Sequence, residues 1–176
     1  MDKKFFLDNL RCIPDFPKKG INFRDVTTLY QNAECMKMMT DELYEIYKDK
    51  GITKIVGIES RGFVMASALA PRLGAGVVLA RKPGKLPSTV VKEQYSKEYG
   101  VDTIEMHIDA ITPNDVVLIH DDLLATGGTA KACWKLVKHF NPKEIYMNFI
   151  IEIKDEGLHG RDEFDGLCEV TTLLTI

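Results

Sequence analysis

The stretch V-V-L-I-H-D-D-L-L-A-T-G-G-T, Val116 to Thr129, decides how the rest of the chain is read. Val116–Ile119 is an apolar run flanked by turn formers and reads as a buried strand. Two adjacent carboxylates follow, Asp121 and Asp122, and then a loop of small residues, Ala125–Thr129, which opens a helical stretch reaching Phe140. Backbone N–H groups at a helix N-terminus attract anions, and Gly127 and Gly128 let a ligand come close to them. The hydroxyls of Thr126 and Thr129 add donors, so the loop reads as a phosphate cradle. Two carboxylates beside a phosphate repel it unless they face hydrogen-bond donors. Vicinal sugar hydroxyls meet that condition, and the stretch reads as a site for a sugar phosphate.

Outward from this stretch the same alternation recurs. Met36, Met39, Leu43, Ile46 and Tyr47 stand at helical spacing between Asn32, a candidate N-cap, and Gly51, a stop. The apolar run Ile55–Ile58, the turn E-S-R-G, a helical stretch Phe63–Leu73 ending at Gly74, and a second run Val77–Ala80 form a strand–helix–strand unit. Arg81–Ser88, R-K-P-G-K-L-P-S, reads as a basic loop, Thr89–Ile108 as a hairpin or flap, and Ile145–Ile151 as another strand. The expected fold is α/β, a central parallel sheet flanked by helices, with ligands at the carboxyl ends of its strands.

Composition sets the outer limits. The 176 residues are 45% hydrophobic and 28% charged, which suits one globular domain over 1–176. Cys12, Cys35, Cys133 and Cys168 are scattered without metal-ligand spacing and read as reduced packing residues. A formal net charge of -3 provides no general attraction to nucleic acid or acidic membranes, so neither is an expected partner. The start is too charged for a signal peptide and no run reaches transmembrane length, which gives a cytoplasmic expectation.

The quoted stretch resembles the ribose-5-phosphate signature of the type I phosphoribosyltransferases, and two further segments resemble the adenine-specific branch of that family. The resemblance runs from F-P-K-K-G-I-N-F-R-D to L-H-G-R near the end. It implies a type I phosphoribosyltransferase fold with a small N-terminal hood, about 1–30, a core, about 31–176, and a flexible catalytic loop. It implies that Asp121 and Asp122 hold the ribose hydroxyls, and that Ala125, Thr126, Gly127, Gly128 and Thr129 hold the 5-phosphate. In Phe16–Asp25, Phe23 would stack on adenine, the Asn22 backbone would read its edge, and Arg24 would lie close by. An aromatic face suits a purine, and backbone groups distinguish an amine from an oxo group.

By the same resemblance Y-S-K-E-Y-G, Tyr95–Gly100, is the mobile loop, with Tyr95 in it, Glu98 as acid/base group and Tyr99 packing beside it. Diphosphate needs local positive charge, and Arg61, Arg81, Lys82 and Lys85 can supply it. The turn Glu59-Ser60-Arg61 offers amides and a guanidinium together, and the family places a cis peptide that would fall between Glu59 and Ser60. Arg61 is therefore read as catalytic as well as diphosphate-binding. The implied reaction transfers ribose 5-phosphate from 5-phosphoribosyl 1-diphosphate to adenine, giving AMP and diphosphate. Mg2+ would be held mainly by the substrate, and a homodimer would let Arg81 reach the neighbouring site. Two positions depart from the family pattern: Lys19 replaces a proline before Gly20, and His120 replaces an aliphatic residue. His120 reads as a hydrogen-bonded histidine near the strand end.

Three rivals are weaker. A non-catalytic binding module on this fold leaves the adenine segment and Glu98 without a use. A serine hydrolase built on Ser60 needs a glycine at position 58, which is Ile58. A phosphoacceptor receiver built on the Asp pair does not account for the cradle that follows it.

Overall fold

The computed structural model describes residues 2–97, 100–154 and 157–176. In chain order its elements are α1 (Lys3–Asn9), β1 (Arg11–Ile13), β2 (Phe23–Asp25), α2 (Thr27–Gln31), α3 (Ala33–Tyr47), β3 (Lys54–Ile58), α4 (Gly62–Leu73) and β4 (Gly76–Ala80). They continue with β5 (Val90–Lys97), β6 (Gly100–His107), β7 (Val116–Leu124), α5 (Gly128–Lys138), β8 (Glu144–Glu152), a 3-10 turn (Asp162–Phe164) and β9 (Glu169–Thr175).

Local chemistry explains the helices. Asn32 takes an extended conformation and its side chain accepts from the N–H groups of Glu34 and Cys35, which starts α3 where the sequence expected it. Cys35, Met39, Leu43 and Tyr47 line its buried stripe. At the end of α4, Gly74 adopts φ +68, a left-handed cap that costs a residue with a Cβ more than glycine.

Five strands form a parallel sheet in the order β4-β3-β7-β8-β9. Both faces are covered, which is why its strands read as apolar runs. Val56, Ile58, Val117, Ile119, Met147 and Phe149 pack with α5 on one side. Ile55, Leu118 and Ile150 pack with α3 and α4 on the other, where Phe6, Val26 and Leu29 of the N-terminal segment join the same cluster. Each such side chain, fully buried, contributes about 1.5–3 kcal/mol. Among the described residues no helix is long and apolar enough to cross a membrane.

The crossovers position the site. From β3 the chain passes through α4 to β4 on one side, and from β7 it passes through α5 to β8 on the other. Neighbouring β3 and β7 thus have connections leaving in opposite directions, and a crevice opens beyond their carboxyl ends.

The structure adds helices α1 and α2 to the sequence reading, and it differs in three further places. β7 continues through Leu124, because β8 keeps pairing with it as far as Glu152, so Asp121 and Asp122 stand within the strand. The short ribbon of β1 and β2 and the edge strand β9 were not expected. The hairpin was: β5 and β6 pair antiparallel from Val90↔His107 to Lys97↔Gly100.

Candidate active site

The two strand ends are brought together by a glycine. A Cβ on Gly62 would lie 2.6 Å from the His120 carbonyl oxygen and 3.2 Å from Asp121 Oδ1, so only glycine lets the first turn of α4 rest on β7. This contact brings the preceding residue, Arg61, to the carboxylates: its Nε donates to Asp122 Oδ2 at 2.5 Å. The Tyr30 hydroxyl donates to the Arg61 carbonyl at 3.3 Å. Burial, with the charges of Asp122 and Asp121 adding to it, pushes the Tyr30 phenol up, so it remains a donor. Burial also pushes the Asp121 carboxyl well above the usual carboxylate range, and its neighbour Asp122 adds to the shift. The Glu59–Ser60 peptide in this turn is cis.

Beyond β7 the loop Ala125–Thr129 leads into α5, with Gly127 at φ +79 as N-cap. Its shape depends on a segment far along the chain. A Cβ on Gly127 would lie 2.7 Å from the Gly160 carbonyl oxygen, and one on Gly160 would collide with the Ala125 carbonyl. Thr126 is exposed, while Thr129 donates through Oγ1 to the Tyr95 hydroxyl at 3.3 Å. Arg161, next to Gly160, is held by a two-point ion pair to Glu152, Nε to Oε1 at 2.8 Å and Nη2 to Oε2 at 2.6 Å. Its Nη1 donates to the Val170 carbonyl, which ties the segment to β9.

The basic segment lies outside the regular elements over 82–88, as expected, while Arg81 forms a two-bond bridge with Glu105 of β6. Glu59 organises it, accepting from the Lys82 N–H at 2.8 Å and from Arg81 Nε at 3.3 Å. A carboxylate has no donor for a diphosphate, so what position 59 can offer an anion is its peptide group. Arg81 Nη1 also donates to the Lys85 carbonyl at 3.2 Å. Lys82 and Lys85 are exposed, and Lys82 Nζ lies 3.8 Å from Asp102 Oδ2. Tyr95, whose hydroxyl donates to Asp102 at 3.3 Å and accepts from Thr129, places the hairpin between this loop and the Ala125–Thr129 loop. Glu98 and Tyr99 lie outside the described residues.

The N-terminal segment supplies an aromatic wall. Phe23 in β2 meets Phe16 edge to face at 5.3 Å between centroids, and the Arg61 guanidinium carbon stands 5.9 Å from the Phe23 ring centre. Asn22 is exposed just before β2, and Arg24 pairs across the ribbon with Cys12. Lys19 sits in a closed loop in which the Gly20 N–H donates to Asp15 and the Phe16 N–H to the Ile21 carbonyl. An aromatic ring, a guanidinium, two carboxylates and a helix N-terminus therefore converge at one crevice.

The phosphoribosyl transferase domain model matches residues 25–165. A curated adenine phosphoribosyltransferase of Phocaeicola vulgatus is 62% identical over 176 residues, all of this chain and all of that one. The chain belongs to the adenine phosphoribosyltransferase family. Two solved members have the same fold. That of Rhodothermus marinus superposes with a TM-score of 0.90 at 45% identity, covering 98% of this chain and 97% of the other. That of Giardia lamblia, complexed with 9-deazaadenine, gives 0.92 at 39% identity, covering 100% and 98%.

Within this adenine phosphoribosyltransferase fold His120 is buried, as a hydrogen-bonded histidine: its Nδ1 lies 2.9 Å from Asn148 Oδ1. Burial pushes its pKa down to about 4, so the ring is neutral at pH 7. Sequence reasoning missed Tyr30, Gly62, Gly160, Arg161 and Glu152. Gly160 and Arg161 fall in the L-H-G-R segment that marks the end of the family resemblance, which was the available signal. Tyr30 carried none, since it reads as one more apolar residue before a helix.

Proposed function

We propose that the chain transfers ribose 5-phosphate from 5-phosphoribosyl 1-diphosphate to adenine, releasing AMP and diphosphate, as one domain over 1–176. The observation that carries this reading is the Arg61–Asp122 contact, at the junction of the cradle after β7 and the turn after β3. It supports the reading because a carboxylate suited to ribose hydroxyls stands beside a cation suited to diphosphate, and one donor molecule carries both groups.

In this reading Ala125, Thr126, Gly127, Gly128 and Thr129 bind the 5-phosphate and Asp121 and Asp122 the ribose hydroxyls. Glu59 and Ser60 contribute backbone groups, and Arg61, Arg81, Lys82 and Lys85 contribute charge, to the diphosphate. Adenine stacks on Phe23, with Asn22 and Arg24 at its edge. The bond from ribose C1 to diphosphate breaks as an imidazole nitrogen of adenine bonds to C1. The proton that nitrogen loses passes to Glu98, and the β5–β6 hairpin, with Tyr95 on β5, excludes water together with Tyr99. The protein acts mainly by holding the reactants in line and stabilising the departing charge.

Mg2+ belongs to the same proposal. It would be held mainly by the donor's own diphosphate and hydroxyl oxygens and by water, with no dedicated set of protein ligands. When bound, the ion neutralises diphosphate charge. A cytoplasmic homodimer is also proposed. Val64 on α4 and Val77 and Leu79 on edge strand β4 are exposed apolar residues, a surface suited to a second copy. Sedimentation at micromolar concentration tests it, and a monomer would exclude it.

The direct test mixes the protein with the donor, Mg2+ and adenine and follows diphosphate release. Release with adenine and far slower release with hypoxanthine or guanine is the expected outcome. Donor binding without release would favour a binding module instead.

A further inference from the structure

Three residues at one level of the sheet form a polar row through its apolar centre. His120 on β7 is in register with Asn148 on β8, and Asn148 with Thr171 on β9. Asn148 Nδ2 lies 2.9 Å from Thr171 Oγ1 and 3.3 Å from the Thr171 carbonyl. Thr171 Oγ1 in turn lies 2.6 Å from the hydroxyl of Tyr47, the last residue of α3. His120, Asn148 and Tyr47 are each no more than 1% exposed.

The directions of these bonds follow from what each atom can do. A carbonyl only accepts, so the amide nitrogen of Asn148 faces Thr171 and its oxygen faces His120. The histidine must then donate, and Nδ1 carries the proton. Thr171 Oγ1 accepts from Asn148 Nδ2 and shares a hydrogen bond with the Tyr47 hydroxyl, which has the Met147 carbonyl, at 3.4 Å, as a further acceptor. Every donor in the row has an acceptor. His120 Nε2 is left with its lone pair and has no hydrogen-bond partner among the described residues.

The row ends under the site. The carbonyl of His120 is the surface on which Gly62 rests, at a distance that excludes a Cβ, and Arg61 before Gly62 reaches Asp122 two residues beyond His120. We propose that His120 is a positioning residue, locked by the Asn148–Thr171–Tyr47 row so that β7 and the first turn of α4 hold Arg61 and Asp122 in the geometry that binds the ribosyl donor. The rival explanation is that His120 only satisfies Asn148, in which case its loss affects stability alone. The proposal rests on the ribosyl-transfer reading above.

Steady-state kinetics of diphosphate release separate the two. His120→Val removes the row's first donor, and His120→Asn keeps a donor near the place of Nδ1. His120→Val is expected to raise the KM for the donor about tenfold, as small misplacements in a site do, with the KM for adenine unchanged and His120→Asn restoring most of the loss. A lowered melting temperature with both KM values unchanged would overturn the proposal. If His120→Val does not fold, Tyr47→Phe, remote from the site, gives the answer. It should change the 15N ring signals of His120 and raise the donor KM by about two- to threefold. Unchanged signals and KM, or a wild-type ring protonated on Nε2, would overturn it. A wild-type protein without turnover would instead sink the transferase reading, which keeps the two failures distinct.

Discussion

Arg61 and Asp122 are hydrogen-bonded to each other at 2.5 Å, although one is expected to meet the diphosphate and the other the ribose. The donor must therefore share or replace a bond that the protein already makes. Losing Arg61 leaves the buried Asp122 carboxylate without its guanidinium and, on the proposed reaction, removes a charge stabiliser.

Arg61→Ala should lower kcat on the order of 100- to 1,000-fold, the usual cost of one well-placed charge-stabilising donor. Arg61→Lys should restore only part of it, because an ammonium lacks the planar fork of a guanidinium. Initial rates of diphosphate release at saturating donor and adenine measure both, and wild-type turnover in Arg61→Ala would remove Arg61 from the mechanism.

Phe23→Ala should weaken adenine binding by about 1–3 kcal/mol, the range found when an aromatic side chain under a base is truncated. The KM for adenine should rise while that for the donor stays put. Equal changes in both would place the ring outside the base pocket.

Gly127→Ala introduces a Cβ 2.7 Å from the Gly160 carbonyl oxygen at a residue with φ +79. Backbone strain of this kind costs on the order of 1–3 kcal/mol. Both a lower urea midpoint and a raised KM for the donor are expected, since the strained residue caps the helix that should hold the 5-phosphate. Normal donor binding would show that the loop relaxes elsewhere.

Arg161→Met removes both guanidinium bonds from buried Glu152, leaving only Lys154 Nζ at 4.0 Å, and should destabilise the protein by about 3 kcal/mol, read from urea unfolding at pH 7. The pH dependence has a definite sign. The Arg161 hydrogen bond holds the Glu152 carboxyl below its ordinary value of 4.5, so the pair's contribution is complete above that value and is lost as pH falls through the lowered one. On acidification below about pH 4.5 the difference between wild type and Arg161→Met should shrink. A difference that grew there would contradict the assignment.

Much of this was legible along the chain because its signals are local. Asn32 caps α3, Gly74 ends α4, and Val116–Thr129 carries strand, carboxylates and loop in one short run. The residues that escaped are joined by tertiary contacts. Gly127 and Gly160 show their dependence only once the segment after β8 is folded back over the loop. β9, E-V-T-T-L-L-T, lies at the sheet edge and carries the polar Thr171 and Thr172 inside, so it lacks the apolar run that marked the other strands. Asn148 hid in the middle of such a run, and only the register with His120 gives it meaning.

The nesting of Gly127 against Gly160 has a consequence for how the molecule is made. A growing chain that has emerged from the ribosome only as far as α5 already contains every residue of the Ala125–Thr129 loop, but not the backbone against which that loop is moulded. The Gly160 carbonyl, the Arg161–Glu152 pair and β9 all come later. The loop proposed to hold the 5-phosphate follows the other signature segments in the chain, yet it is complete in sequence before the backbone that shapes it has been made.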